Sequence, residues 1–236
     1  MRLDKYLVEE GYFESRNRAH DAIKAGEVTV DGKKAKPSAK IDENSVVVVA
    51  QEKFYVSRAA RKLESFLDEH PVDFKEKKVL DIGSSTGGFS QIALEEGAKS
   101  VVCVDVGSDQ LHKTIREDEK VTVCESTDIR EYSAEQEFDL IVCDVSFISI
   151  MQITGEIDRL ARKEAEVIIL YKPQFEVGKD TKRDSKGVVQ DIDAINRKRE
   201  QFEESVSNMG WKLQYNAESK VSGKEGNREY LYLYTV

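Results

Sequence analysis

The stretch Lys78-Val-Leu-Asp-Ile-Gly-Ser-Ser-Thr-Gly-Gly-Phe-Ser90 decides how this chain folds. Val79, Leu80 and Ile82 form a short apolar run that reads as a buried strand. A glycine-rich turn follows, and residues 89–94 read as a helix. Glycines in such a turn let the backbone approach a ligand, and the helix start offers N–H groups without partners. About twenty residues further on, Val101-Val-Cys-Val-Asp105 is a second apolar run ending in an acid, where a carboxylate suits the hydroxyls of a ribose. The loop pattern is Asp81-x-Gly83-x-x-x-Gly87-Gly88, which departs from the Gly-x-Gly-x-x-Gly fingerprint of dinucleotide binders.

The pattern continues outward in both directions. Strands are predicted at 78–82, 101–106, 121–124, 139–143 and 166–171, alternating with helices at 88–96, 109–117 and 149–162. Residues 192–208 read as another helix stopped by Gly210, and 211–217 and 229–236 are two final alternating runs. Strands alternating with helices predict an α/β fold: a Rossmann-like, mostly parallel sheet covered on both faces. The terminal hairpin gives it one antiparallel strand. Such sheets bind ligands at the carboxyl ends of their strands. The residues to interrogate there are Asp81 with its loop, Asp105, Asp128, Asp144 and Lys172-Pro173.

Residues 1–50 read as a separate small α+β unit. Leu3, Tyr6 and Leu7 repeat at helical spacing up to Gly11. Ser15 is the predicted cap of a second helix, whose apolar face is Ala19, Ala22 and Ile23 and whose stop is Gly26. Val28-Thr-Val30 then runs into Asp31-Gly32, a tight hairpin turn, and 46–49 closes the unit. Residues 51–55 read as a linker and 56–67 as a helix leading into the second domain, 56–236.

Net charge is −9 over 236 residues, which does not advertise nucleic-acid binding. The distribution says more. The first sixty residues are nearly balanced, and their cations gather between 15 and 40: Arg16, Arg18, Lys24, Lys33, Lys34, Lys36 and Lys40. Affinity for phosphate follows the local field, not the sum. Arg16 and Arg18 stand at a helix start, which already favours phosphate. Cys103, Cys124 and Cys143 each sit in an apolar run, read as reduced thiols. Their spacing and the scattered histidines predict no metal site. No run approaches the ~18 apolar residues of a membrane span, and the N-terminus lacks the apolar core of a signal peptide. The predicted location is the cytoplasm, away from membranes.

The N-terminal unit resembles the RNA-binding domain named after small-subunit ribosomal protein four, through Arg2-Leu-Asp-Lys-Tyr-Leu7, Ser15-Arg-x-Arg-Ala-x-x-x-Ile23 and Gly26-x-Val-x-Val-Asp-Gly32. The glycine loop resembles motif I of S-adenosylmethionine-dependent methyltransferases. The whole chain resembles the TlyA-type rRNA 2′-O-methyltransferases, related to the FtsJ-like group. The motifs run in family order: Tyr55-Val-Ser-Arg-Ala-Ala-Arg-Lys-Leu63, Asp81-Ile-Gly-Ser-Ser-Thr-Gly-Gly-Phe89, Val104-Asp-Val-Gly107, Asp144-Val-Ser-Phe-Ile-Ser149, Lys172-Pro-Gln-Phe-Glu-Val-Gly-Lys179 and Gly226-Asn-Arg-Glu-Tyr230.

That resemblance implies S-adenosylmethionine as cofactor and 2′-O-methylation of a cytidine ribose in ribosomal RNA. The short chain ends resemble the subgroup acting on the large subunit alone. The family's Lys-Asp-Lys-Glu tetrad falls on Lys62, Asp144, Lys172 and Glu229. Its cofactor contacts fall on Asp81, Gly83, Ser84, Ser85, Thr86, Gly87, Gly88, Phe89, Asp105, Val106, Asp128, Ile129 and Asp144. The RNA contacts expected are Arg2, Arg16, Arg18, Lys24, Lys33, Lys34, Arg58, Arg61, Lys179 and Lys182. Lys179, Lys182, Arg183 and Lys186 are expected to form a mobile basic lid. At the reacting centre a nearby ammonium would stabilise a developing alkoxide, or a neutral lysine would take the hydroxyl's proton.

Two other readings stay open on the residues alone. A non-catalytic RNA-binding or ribosome-assembly factor needs only the basic N-terminal unit. A base or amino methyltransferase would fit Asp144-Val-Ser-Phe147, without the two prolines usual in that turn.

Overall fold

Helices α1 (Leu3–Glu9) and α2 (Arg16–Ala25) open the computed structural model, which describes residues 1–13, 15–42, 44–50, 54–134 and 137–236. The Ser15 hydroxyl accepts from the Arg18 N–H at 3.4 Å, and Gly26 ends α2 in the left-handed conformation. Strands β1 (Val28–Val30), β2 (Lys33–Lys34) and β3 (Val47–Val49) follow, in sheet order β2-β1-β3. Asp31 and Gly32 both have positive φ, 52° and 73°, as a two-residue hairpin turn with the sheet's own twist requires. Leu3, Leu7, Ala19, Ala22, Ile23, Val28 and Ile41 bury one core between helices and sheet. This unit comprises Met1–Phe54, and the second Tyr55–Val236. Residues 51–53 of the expected linker lie outside the described residues.

The second unit runs α3 (Arg58–Leu67), β4 (Lys78–Ile82), α4 (Gly88–Glu95), β5 (Ser100–Val104), α5 (Lys113–Arg116), β6 (Val121–Cys124) and β7 (Phe138–Cys143). It continues with α6 (Thr154–Leu160), β8 (Ala161–Tyr171), α7 (Pro173–Glu176), α8 (Ile192–Asn208), β9 (Lys212–Glu218) and β10 (Tyr230–Thr235). The sheet order is β6-β5-β4-β7-β8-β10-β9. Every pair from β6 to β8 is parallel, while β10 lies antiparallel to both β8 and β9. This is the mostly parallel sheet with one antiparallel strand that the alternation predicted.

Successive residues of the central strands face opposite sides, so one sheet feeds two cores. Leu80, Ile82, Ile141, Val167 and Ile169 pack with α6 and α8. Val79, Leu140, Val142, Ile168 and Leu170 pack with α3 and α4. Cys103 and Cys143 are buried in these cores as free thiols, and Cys124 is half-buried. Burial pushes Cys103 up to about 12, so it is an inert core residue.

Four elements differ clearly from the expectation. The helix expected over 109–117 is a single turn, α5. The Glu125 carboxylate accepts the backbone N–H groups of Asp109, Gln110 and Leu111, which therefore point at a side chain and not into a helix. The helix expected over 149–162 is a 3-10 turn at Ile150–Gln152 followed by α6. It yields at once to β8, which begins at Ala161 and not at 166, because residues 161–166 are bulged against β7. β5 stops at Val104, two residues early. The Asp105 carboxylate turns the chain by accepting from Ser85 N at 2.8 Å and Gly107 N at 2.7 Å.

Candidate active site at the carboxyl ends of the strands

Sheet register brings the functional residues to one edge. Ile82 stands beside Val104 and Cys143, so Gly83, Asp105 and Asp144 emerge together where β4, β5 and β7 end. Tyr230 faces Tyr171 across the antiparallel pair, so Glu229 enters the sheet as Lys172 leaves it. A cleft of about 860 Å³ opens at this edge, lined among others by Gly83, Asp105, Val106, Asp128, Ile129 and Asp144.

The glycine loop divides its work. Gly83 has φ +78°, and a Cβ there would lie 2.8 Å from the Asp144 carbonyl oxygen, so backbone packs directly on backbone. Gly87 and Gly88 were expected at the cofactor. A Cβ on Gly87 would meet Leu111 at 2.9 Å, and one on Gly88, which borders a second small cavity, would meet the Ser57 hydroxyl at 2.1 Å. They are small so that α5 and α3 can pack on the start of α4. Phe89 is likewise buried in the core beside α3. Ser85 is exposed at the loop tip, and the Thr86 carbonyl accepts from His112 N.

The acids differ in state. Asp81 is fully buried, and burial pushes its carboxyl up to about 7 despite the Ser90 hydroxyl donating at 2.6 Å. Its Oδ1 and the Ser84 hydroxyl have no partner among the described residues, and both side chains border that second small cavity, which Asp144 shares. Asp128 is held at about 2 by the Arg130 guanidinium, which grips it in the cleft wall.

The expected tetrad forms two ion pairs. Lys172 Nζ lies 2.5 Å from Asp144 Oδ1 and donates to the Ser146 hydroxyl at 2.9 Å. Lys62 Nζ lies 2.5 Å from Glu229 Oε2, with only 9% and 4% of the two side chains exposed. Glu229 stands across the antiparallel pair from the exit of Lys172, yet the two are not ion-paired. It pairs with Lys62 instead, because α3 brings that lysine under the start of β10, and its Oε1 accepts from Gln174 Nε2 at 3.0 Å.

The cations expected on RNA also sort themselves. Arg2 and Arg16 both bind the fully buried Asp4 carboxylate, at 3.0 and 2.6 Å. Their charge is engaged inside the N-terminal unit. Arg18, Lys24, Lys33 and Lys34 are exposed there. Arg58 donates to the Ser222 carbonyl at 2.6 Å, and Arg61 lies over the Tyr55 ring. Lys179 and Lys182 are exposed in the segment expected to be a lid. Within that segment Arg183 points inward to the carbonyls of Gln174, Gly178 and Gly187. Arg183 and Val189 form a bridge, and Val189 N donates to Asn227. Arg183 thus turns its charge into the fold, whereas Lys179, Lys182 and Lys186 are exposed.

Sequence reading missed Ser146, Phe147, Gln174 and Glu176. Phe147 is 91% exposed with φ +66°, lines the cleft, and stands 5.1 Å from the Phe175 ring. Both rings were visible in the motifs containing Asp144 and Lys172, but nothing in the sequence shows a phenylalanine turned to solvent.

Residues 55–235 match the model of the FtsJ-like methyltransferases, and residues 1–47 match that of the S4 domain. The chain belongs to the FtsJ-like methyltransferase family. It is 44% identical, over 99% of both chains, to the 23S rRNA (cytidine-2′-O)-methyltransferase TlyA of Campylobacter jejuni. It is 36% identical to the 16S/23S rRNA (cytidine-2′-O)-methyltransferase TlyA of Mycobacterium tuberculosis, over 97% of this chain and 87% of that one. Among solved structures, a hemolysin-labelled protein of Streptococcus thermophilus superposes with a TM-score of 0.72 at 31% identity, covering 100% of this chain and 88% of its own. Among the described residues no helix of this FtsJ-like protein is long and apolar enough to cross a membrane.

Proposed function

We propose that the chain methylates the 2′-oxygen of a cytidine ribose in ribosomal RNA of the large subunit, in the cytoplasm, with S-adenosylmethionine as methyl donor. The observation that carries this reading is the Lys172–Asp144 ion pair at the cleft edge, beside Gly83 and backed by the buried Lys62–Glu229 pair. In a binding protein the Lys172–Asp144 pair would serve only as a fastening, which calls for no cleft beside it. A base or amino methyltransferase has no role for Lys172 and Glu229.

The residues present fit the cofactor. The orphaned Asp81 Oδ1 and Ser84 hydroxyl offer buried acceptors suited to an amino group, and the elevated Asp81 carboxyl would ionise beside a cation. Asp105 is locked by two backbone N–H groups and keeps lone pairs for ribose hydroxyls. When bound, S-adenosylmethionine supplies an electrophilic methyl group on a sulfonium. The protein's work is then alignment and one proton. In its neutral form Lys172 would take the O–H proton of the ribose 2′-oxygen as that oxygen gains the methyl group. Asp144 and Ser146 fix the amine's direction, and Lys62 with Glu229 completes the wall behind it. Phe147 offers a flat, exposed face on which the target base can stack. Arg18, Lys24, Lys33, Lys34, Arg58, Arg61, Lys179 and Lys182 supply cations for the RNA backbone.

Mapping the methyl group on the product tests the reading. A ribose-methylated cytidine resists alkaline cleavage at its 3′ side, whereas a base-methylated one does not. Cleavage at every position of a fully methylated product overturns the proposal, and absence of methyl transfer would favour an assembly factor.

A further inference from the structure

The one-turn helix α7 follows Lys172 directly, and its side chains touch both the Lys62–Glu229 pair and the loop after β7. Gln174 donates from Nε2 to Glu229 Oε1 at 3.0 Å, so it touches the Lys62–Glu229 pair. Phe175 packs on Phe147. The Glu176 carboxylate accepts twice from the loop after β7, from the Ser149 hydroxyl at 2.6 Å and the Ile150 N–H at 2.8 Å. That loop carries Asp144, Ser146 and Phe147. The two halves of the site come from chain segments far apart in sequence, and α7 bridges them.

Each contact has a fixed sense. The buried Gln174 Oε1 has no partner among the described residues. Rotating the amide to use it would set that oxygen against the Glu229 carboxylate, so the carboxylate decides which way the amide faces. Glu176 is partly buried, and burial raises its carboxyl, yet it is matched by two donors that together fix where the Asp144 loop turns. Arg183 holds the helix from its other side through the Gln174 carbonyl at 2.8 Å. None of these groups lines the reacting edge beside Lys172 and Asp144.

We propose that Gln174 and Glu176 are positioning residues for methyl transfer: Gln174 aligns the Lys62–Glu229 pair, and Glu176 clamps the Asp144 loop to the turn carrying Lys172. The proposal rests on the reading of Lys172 and Asp144 as the catalytic pair. A displacement of an ångström is enough to lose roughly 10–100-fold in rate when geometry controls a reaction.

The test uses the full chain with ribosomal RNA substrate and S-adenosylmethionine, both saturating, in single-turnover methyl transfer. Variants are Gln174→Leu, Glu176→Gln, Glu229→Gln and Gln174→Leu/Glu229→Gln, with Lys172→Ala alongside. Gln174→Leu and Glu176→Gln are expected to slow transfer roughly 10–100-fold while cofactor affinity, RNA affinity and melting temperature stay near wild type. The double variant is expected to be no slower than Glu229→Gln alone, because both remove one coupled arrangement. Wild-type rates in Gln174→Leu and Glu176→Gln overturn the proposal. So do additive losses in the double variant, or losses that track melting temperature and cofactor affinity, which mark a purely structural role. If Lys172→Ala itself keeps the wild-type rate, the catalytic reading fails first, and the proposal falls with it. Gln174→Met and Ser149→Ala repeat the two arms should either first variant not fold.

Discussion

In the N-terminal unit the buried Asp4 carboxylate meets Arg2, Arg16 and His20, whereas in the second unit Asp144 meets one lysine and opens onto a cleft. Asp4 has more cations than it needs, and the Arg2 guanidinium holds its carboxyl far below the usual range. Every partner looks inward at it, and the product is a pinned helix pair, α1 against α2. Asp144 has fewer partners, and its lysine also contacts Ser146 at the cleft edge. Similar residue types thus serve two ends. Saturating a buried acid with cations makes a fastening, while an ion pair left at the mouth of a cleft is placed to meet a ligand, as proposed for Lys172.

The contrast is broken most severely at Lys172. Lys172→Ala is expected to lose about 10²–10⁴-fold in single-turnover transfer with cofactor affinity intact, the usual scale for a positioned acid–base group. Lys172→Arg is expected to fail as well, since a guanidinium differs in shape and does not give up its proton. Near-wild-type transfer in Lys172→Ala would make this pair another fastening.

Gly83→Val should weaken cofactor binding by roughly 10²-fold, about 2.7 kcal/mol, read by calorimetric titration. Its side chain would begin 2.8 Å from the Asp144 carbonyl oxygen, on a backbone at φ +78°. Unchanged affinity in a folded variant would remove the glycine loop from the cofactor site.

On the fastening side, Asp4→Asn is expected to lower stability by about 1–3 kcal/mol, because Arg2, Arg16 and His20 lose a charged acceptor. The Asp4 carboxyl is depressed in the folded chain. Its contribution is therefore full above the ordinary carboxylate pKa of about 4 and is lost as pH falls below it. Thermal melts from pH 6 down to pH 2 should show the wild-type advantage over Asp4→Asn shrinking below about pH 4. An advantage independent of pH would detach the stability of this unit from the Asp4 charge. The smallest effect is expected at the exposed Arg18. Arg18→Ala should reduce the salt slope of RNA binding by about one and leave the melting temperature alone. Arg16→Ala, which releases Asp4, should shift the melting temperature. If the two arginines exchange these behaviours, the division between fastening and phosphate contact is drawn in the wrong place.

Much of the fold was legible in the sequence because local signals fixed it. The apolar runs of β4 to β8, the Asp31-Gly32 turn and the Ser15 and Gly26 boundaries each depend on a few adjacent residues. The places where the reading failed have two causes, both of them tertiary. A side chain distant in sequence captures backbone groups, as Glu125 does at 109–111, or a bulge absorbs residues, as at the start of β8.

The same boundary runs through the site. The chain's order alone placed Asp81, Asp105, Asp144 and Lys172 at strand ends, since any residue just after a parallel strand emerges at the same sheet edge. Which lysine pairs with which carboxylate was settled by register and helix packing. The antiparallel entry of β10 sets Glu229 beside the exit of β8, and α3 supplies Lys62 to it. Gly87 and Gly88 show the same limit, because small size is visible in sequence while the neighbour that demands it is not. Sequence determines which groups reach an edge through periodicity and chain direction; partnership depends on distances between segments far apart in the chain, and only the packed structure sets those.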